Sequence, residues 1–382
     1  MRYLVYTNTP AHVHLYRNAV ARLEAAGHDV LVLGRDYGCT VALLEWYDLP
    51  HEVYGYCDTS KWSLFARLPS HYTRAIRTAR NFDPDLIFGM GGYAAHTGAL
   101  LRTPVALLID SEVTGLDHAV STPFARAVLT PDTFQTRLCD DHFVFPGLKE
   151  CAYLHPKEFA YQSTRDGGPS IRDRLGLAAD EPFVIVRLNA FGSHHDVGKG
   201  GFTPARRRRL IDRLAQHATV LVSDEGGDMT YDGVPARPFS VHPALLHDAL
   251  AEASLLVADT QTMVTEAALL GTPAVRSNSF VGDEDMGNFR ALSRHGLIFN
   301  EAEFDAAIER AETLLCADGI DAEWRRRRDA YLADRCNLTD VIVDVATAEG
   351  RAERVATLSP FGERDRAAVP AEATRADAPI PK

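Results

Sequence analysis

Four polar stretches in this chain each follow a short apolar run and carry groups able to hold or move charge. The richest is Asp259 to Asn278, DTQTMVTEAALLGTPAVRSN. An apolar strand-like run ends at Ala258, and Thr260, Gln261 and Thr262 open a helix. Free backbone N–H groups and the helix dipole at such a start favour an anion such as a diphosphate. Glu266, one turn further, is placed to accept hydrogen bonds from a ribose diol, as acidic groups do in dinucleotide folds. The plainer reading of the same residues is a helix start capped by Thr260 or Thr262. The loop Asn8 to His14 offers His12, with His14 second, as a general base near neutral pH, against the alternative of histidines bound to the backbone. Asp110 and Glu112 in LLIDSEVTGLDH are two carboxylates at a strand exit, suited to acid–base work or to sugar hydroxyls; either could instead cap the next segment. Arg187 and Asn189, in RLNAFGSHHDVGKGG, present basic and amide groups to a phosphate or a sugar. That stretch is not a P-loop, because Gly200 stands where Ser or Thr is required. His194, His195 and Asp196 are adjacent, and adjacent histidines rarely converge on one ion, so no metal is expected.

These residues all need strand ends to position them, and the chain supplies strands in series. RYLVYT, a helix from Val13 to Gly27 and HDVLVLGRD make a β-α-β unit. TVALLEWYDL, HEVYGY, a helix over about Leu64–Asn81, PDLIFGMGG, AAHTGALLR, PVALLID, RAVLTP and DHFVFPG extend it. After the Gly/Pro-rich QSTRDGGPS a second array begins at PFVIVRLN and runs through TVLVS, LLVAD, TMVTEAALLG and PAVRS. The pattern predicts an α/β protein of two Rossmann-like, doubly wound parallel sheets, with ligands outside the carboxyl ends of the strands in a shared cleft. The expected bounds are 1–160, 161–320, a helical segment 321–350 that can pack back on the first domain, and a disordered tail 351–382.

The bulk properties narrow the function. The 382 residues fit two domains. A formal charge of −12 argues against a nucleic-acid partner, and RRRR at 206–209 and 325–328 reads as solvated helix faces. Acidic, lysine-poor and arginine-rich composition suits a halophilic source. The six cysteines match no zinc pattern. No apolar run nears the roughly 20 residues of a membrane helix, and the expectation is a cytoplasmic protein free to attach to the inner face of a membrane. GMGGYAAHTG is not a GxGxxG fingerprint, though Gly91, Gly92 and His96 fall at a strand exit.

TEAALLGTPAV resembles the C-terminal-domain motif of glycosyltransferase-B proteins, including the UDP-N-acetylglucosamine 2-epimerases and MurG-like transferases. The resemblance implies that Thr262 and the Met263 backbone hold the donor diphosphate and that Glu266 holds the ribose. By position it assigns the base to Ser240, Val241 and His242. TNTPAHVHLYRNAVARLEAAGHDVLVLGRD and FPGLKECAYL at 145–154 resemble a largely archaeal family of unknown function grouped with these enzymes, over about residues 1–345. This chain departs from the transferases at two turns: Asp259-Thr260-Gln261-Thr262 replaces a Gly/Ser-rich turn, and the first loop lacks glycines. The function implied is a metal-independent transferase without a resident cofactor. Its donor would be a nucleotide-diphosphate sugar, UDP-linked, and its acceptor a lipid or polysaccharide. The alternatives are a 2-epimerase-like isomerase using Asp110, Glu112 and His12, and a sugar-nucleotide or glycan scaffold that has lost the reaction.

Overall fold

The computed structural model describes residues 1–57, 61–112, 115–189, 201–227, 229–279, 281–282 and 285–363. They form two compact units: Met1–Glu158 with the stretch from Arg335 onward, and Phe159–Asp334.

Unit one runs β1 (Arg2–Thr7), α1 (Pro10–Ala25), β2 (Asp29–Asp36), α2 (Thr40–Trp46), β3 (His51–Tyr56), α3 (Lys61–Phe82), β4 (Leu86–Gly89), α4 (Gly92–Leu101), β5 (Val105–Leu108), α5 (Gly115–Ser121), β6 (Ala127–Pro131) and β7 (His142–Phe145). Its sheet is ordered β3-β2-β1-β4-β5-β6-β7, all parallel. The strands β4 to β7 are buried at every position, as expected when helices cover both faces. The order reverses between β1 and β4, so Thr7 and Gly89 leave the sheet on either side of a switch point, where open α/β sheets bind ligands.

Unit two runs α6 (Ile171–Leu175), β8 (Phe183–Leu188), α7 (Pro204–Leu214), β9 (Thr219–Asp224), β10 (Arg237–Pro238), α8 (Leu246–Glu252), β11 (Leu255–Ala258), α9 (Thr262–Leu270), β12 (Ala274–Arg276), α10 (Gly287–Arg294), β13 (Ile298–Asn300), α11 (Phe304–Cys316) and α12 (Ile320–Leu332). Its parallel sheet is ordered β10-β9-β8-β11-β12-β13, the same reversal in miniature. Here the switch point lies between β8 and β11, whose exits carry Asn189 and Asp259. The core collects Val184, Val186, Leu210, Val257, Ile308 and Trp324, each fully buried aliphatic or aromatic side chain contributing about 1.5–3 kcal/mol.

Two features differ from the sequence expectation. The division near the C-terminus falls at 334/335, not at 320. The reason is that α12 belongs to unit two: the Trp324 indole donates to Leu297 O at 2.8 Å, and Arg327 donates to Gly296 O at 2.9 Å. The chain then returns to unit one as α13 (Leu338–Thr347), with Thr339 Oγ1 donating to Ala152 O at 2.7 Å and Tyr3 Oη to Ala346 O at 3.2 Å. Residues 351–363, assigned in sequence to a disordered tail, carry a 3-10 turn at Ala352–Arg354 and β14 (Ser359–Pro360). β14 pairs antiparallel with β7, and Ala352, Val355 and Leu358 of this stretch are buried. The strand pairing with β7 and these three buried side chains order a stretch that is poor in large apolar residues. Among the described residues no helix is long and apolar enough to cross a membrane.

Candidate functional site

In unit two the candidate site is the start of α9. β11 ends at Ala258, and Asp259 follows, fully buried, with Oδ1 accepting the Asn189 N–H at 2.7 Å and Oδ2 the Phe202 N–H at 3.1 Å. One carboxylate thus ties the exits of β8 and β11 together. Burial pushes the Asp259 carboxyl up to about 6, against the two backbone donors, which act to lower it. Among the described residues the helix start has no side-chain cap: Gln261 at the N-cap makes no side-chain bond to it, and Val264 N–H and Thr265 N–H turn back to Gln261 O. The Thr260 hydroxyl, which sequence alone allowed as a cap, is buried without a hydrogen-bond partner among the described residues. The first N–H groups of a helix have no partner within it, and together with such a hydroxyl they make an anion seat.

Glu266 lies one turn further on the same helix, 3 % exposed, and its Oε1 is 3.0 Å from His247 Nε2 on α8. Thr262 is half-buried and Met263 buried. Gly271 ends α9 in the left-handed region at φ 80°, and a Cβ there would stand 3.2 Å from the Arg325 Cα, so glycine lets α12 close on the helix end. Arg187 is engaged across the sheet, donating to Ser223 Oγ at 2.9 Å and to Glu225 at 2.8 Å. Ser240 is exposed and Val241 half-buried. His242 Nδ1 accepts the Ala244 N–H at 3.2 Å, which shapes the turn before α8. His194, His195 and Asp196 lie outside the described residues.

In unit one the carboxyl edge of the sheet gathers a second cluster. Asp110, two residues past β5, pairs with Lys149, which follows β7; Lys149 also lies 3.7 Å from Glu150. Burial acts to raise the Asp110 carboxyl, but the Lys149 ammonium, its hydrogen bond and nearby His12 outweigh it and hold the group below the usual carboxylate range. His12, in the first turn of α1, is half-buried and accepts the Asn8 N–H on Nδ1 at 3.2 Å. That bond places the proton of the neutral ring on Nε2. Burial, then the Lys149 and Arg35 cations, pull His12 down to about 3 in spite of Asp110. Asn8 is the hub: Arg35 Nε donates to its carbonyl at 3.1 Å and Tyr54 Oη to its Oδ1 at 2.8 Å.

The other two candidates of unit one face elsewhere. His14 is buried on α1 between Tyr47 and Tyr153. Glu112 accepts the Gln135 N–H at 2.8 Å. Gly91, at φ 103°, lets Asp117 come up to the start of α4, and His96 bridges Tyr72 and Val120 O. So the structure brings His12 and Asp110 together and sets His14 and Glu112 apart from them. Sequence reasoning missed Lys149, Asn8, Arg35 and His247 as partners. Lys149 stood inside the quoted FPGLKECAYL run, whereas His247 reads from sequence as one more position on a short helix between strands.

No protein-family model matches this chain. An uncharacterized protein of Methanocaldococcus jannaschii is 25 % identical over 281 residues, 70 % of this chain and 79 % of that protein. The UDP-N-acetylglucosamine–N-acetylmuramyl-(pentapeptide) pyrophosphoryl-undecaprenol N-acetylglucosamine transferase of Coxiella burnetii is 39 % identical over 74 residues. That segment is 18 % of this chain and spans only 21 % of the transferase. Among solved structures, a putative UDP-N-acetylglucosamine 2-epimerase from Listeria monocytogenes superposes with a TM-score of 0.63 at 11 % identity, covering 92 % of this chain and 96 % of that one. MurG of Acinetobacter baumannii gives 0.54 at 18 % identity, covering 91 % and 99 %. The chain therefore has the glycosyltransferase-B type of fold that these epimerases and transferases share.

Proposed function

We propose that this chain is a glycosyltransferase that takes its sugar from a nucleotide diphosphate, UDP-linked, without a metal. The observation that carries the reading is the start of α9 at the switch point of the second sheet: among the described residues it has no side-chain cap, and the Thr260 hydroxyl buried beside it has no hydrogen-bond partner. Donors fixed in advance at the place where a diphosphate gains charge stabilise its departure, usually the largest catalytic contribution. In this reading the N–H groups of Thr262 and Met263 hold the diphosphate, Glu266 accepts from the ribose diol, and the Ser240–His242 turn meets the base. The short stretch shared with the Coxiella burnetii transferase supports the same class.

Unit one would serve the acceptor, a lipid or polysaccharide hydroxyl. Asp110, kept ionised by Lys149, is the basic group of that cluster. His12, neutral and protonated on Nε2, orients the hydroxyl as a donor and does not remove its proton. Calorimetry with UDP and UDP-sugars tests the proposal: micromolar to low millimolar binding is expected, and no binding of any nucleotide at millimolar concentration would sink it. A 2-epimerase reading draws on the same unit-one cluster, because the Asp110 carboxylate and Lys149 ammonium form a base–acid pair. NMR of UDP-N-acetylglucosamine incubated with the protein separates the two: an epimerised sugar without acceptor means isomerase, and acceptor-dependent release of UDP means transferase.

A further inference from the structure

We infer that His247 is a positioning residue for nucleotide selection: it sets the carboxylate of Glu266 so that the site takes a ribonucleotide in preference to its deoxy counterpart. The inference rests on the reading that Glu266 holds the ribose.

The two residues come from neighbouring helices, His247 from α8 and Glu266 from α9. His247 is 2 % exposed and Glu266 3 %, and Nε2 to Oε1 is 3.0 Å. A glutamate side chain has three rotatable bonds, and its carboxylate can lie in several planes. An imidazole N–H on one oxygen fixes one of them. A carboxylate has about four lone-pair sites, so the His247 bond takes only a share of what Glu266 can accept. α8 is itself anchored: Asp248, next in the chain, accepts the Gln162 N–H at 3.0 Å and the Ser163 N–H at 2.6 Å, and Thr272 Oγ1 donates to Leu250 O at 2.6 Å. The imidazole is therefore held from a rigid element, and the carboxylate inherits that order. Hydroxyl discrimination depends on such fixed buried acceptors, because an analogue lacking the hydroxyl leaves them unpaired.

The test compares UDP with 2′-deoxyuridine diphosphate by calorimetry on the full chain. The intact protein is expected to prefer UDP by about tenfold, the worth of one hydrogen bond to a charged group. His247→Phe keeps a ring but removes the donor, and should bring the two affinities within about twofold while leaving the deoxy ligand unchanged. His247→Gln restores a donor and should recover most of the preference. A merely structural histidine would weaken both ligands alike. Full discrimination retained in His247→Phe overturns the inference and leaves the ribose reading standing. Equal binding of the two nucleotides by the unaltered protein overturns the ribose role of Glu266 itself, and the inference falls with it. Should His247→Phe fail to fold, as judged by circular dichroism, His247→Asn carries the same comparison: its shorter amide falls short of Glu266, and retained discrimination counts against the inference.

Discussion

Asp259 gives the second unit a pH signature that can be worked out in advance. Its carboxyl has an ordinary value of 3.8 and is raised to about 6 in the fold, chiefly by burial. For an acid raised on folding, the native state favours the protonated form. The stability it contributes is complete below pH 3.8, declines through the window between 3.8 and about 6, and is gone above it. A displacement of about two units corresponds to ~3 kcal/mol. Asp259→Asn removes the titration, so the stability of the natural protein minus that of the variant should fall by ~2 kcal/mol between pH 4 and 7, the rest of the ~3 kcal/mol being lost below pH 4. The variant also turns an amide N–H toward one of two backbone N–H groups, a loss of about 1–3 kcal/mol that does not depend on pH and cancels in the slope. Urea unfolding at a series of pH values measures this, followed by the fluorescence of Trp324, the one tryptophan between Phe159 and Asp334. A difference that stays flat from pH 4 to 7 would refute the reasoning, because it would mean the two backbone donors offset the burial of the charge.

His12 should remain neutral throughout pH 5–8, since its folded value of about 3 lies below that whole range; nitrogen NMR should show an Nε2-protonated ring, and a midpoint near 6.5 would contradict the geometry. The sign here is opposite to that of Asp259: the stability held by neutral His12 is complete above 6.5 and lost as the pH falls toward 3. Lys149→Met strips Asp110 of the cation that keeps it low, so the acid limb of any turnover profile should move to higher pH, and an unmoved limb excludes Asp110 as the base. Arg276 is fully buried, bonds both oxygens of Asp285 at 2.9 Å and stacks 3.8 Å over Phe289. Arg276→Met leaves that carboxylate buried and unpaired, and should cost unit two about 3–5 kcal/mol in urea unfolding, with part recovered on adding Asp285→Asn. Glu266→Gln should lower UDP affinity by about tenfold without changing the unfolding midpoint by more than a few degrees.

Much of the architecture was legible because parallel strands buried on both faces write themselves as short apolar runs, each leaving through a polar turn. LIFG, VALL and LLVA need no partner to be recognised. The return of α13 to unit one was open in sequence, because its specificity lies in contacts such as Thr339 to Ala152, separated by 187 residues. The candidate site was half legible. Polar residues at helix starts after strands stand out in sequence, so the start of α9 and His12 were legible as candidates. Protonation states were not: His12 reads as a base until Asn8, Lys149 and Arg35 are seen around it. Single residues inside connecting helices, such as His247 in LHDALAE, carry no local signal at all.

The path of the chain through its two units has a consequence for synthesis. Everything from Phe159 to Asp334 is inserted between two pieces of unit one, so the latter waits on the ribosome for α13, whose apolar side covers α1, and for β14 at the sheet edge. A nascent segment ending near Glu158 would meet the cell with that flank of α1 uncovered. The inserted unit, by contrast, is continuous, and can reach its final form while its host is still unfinished.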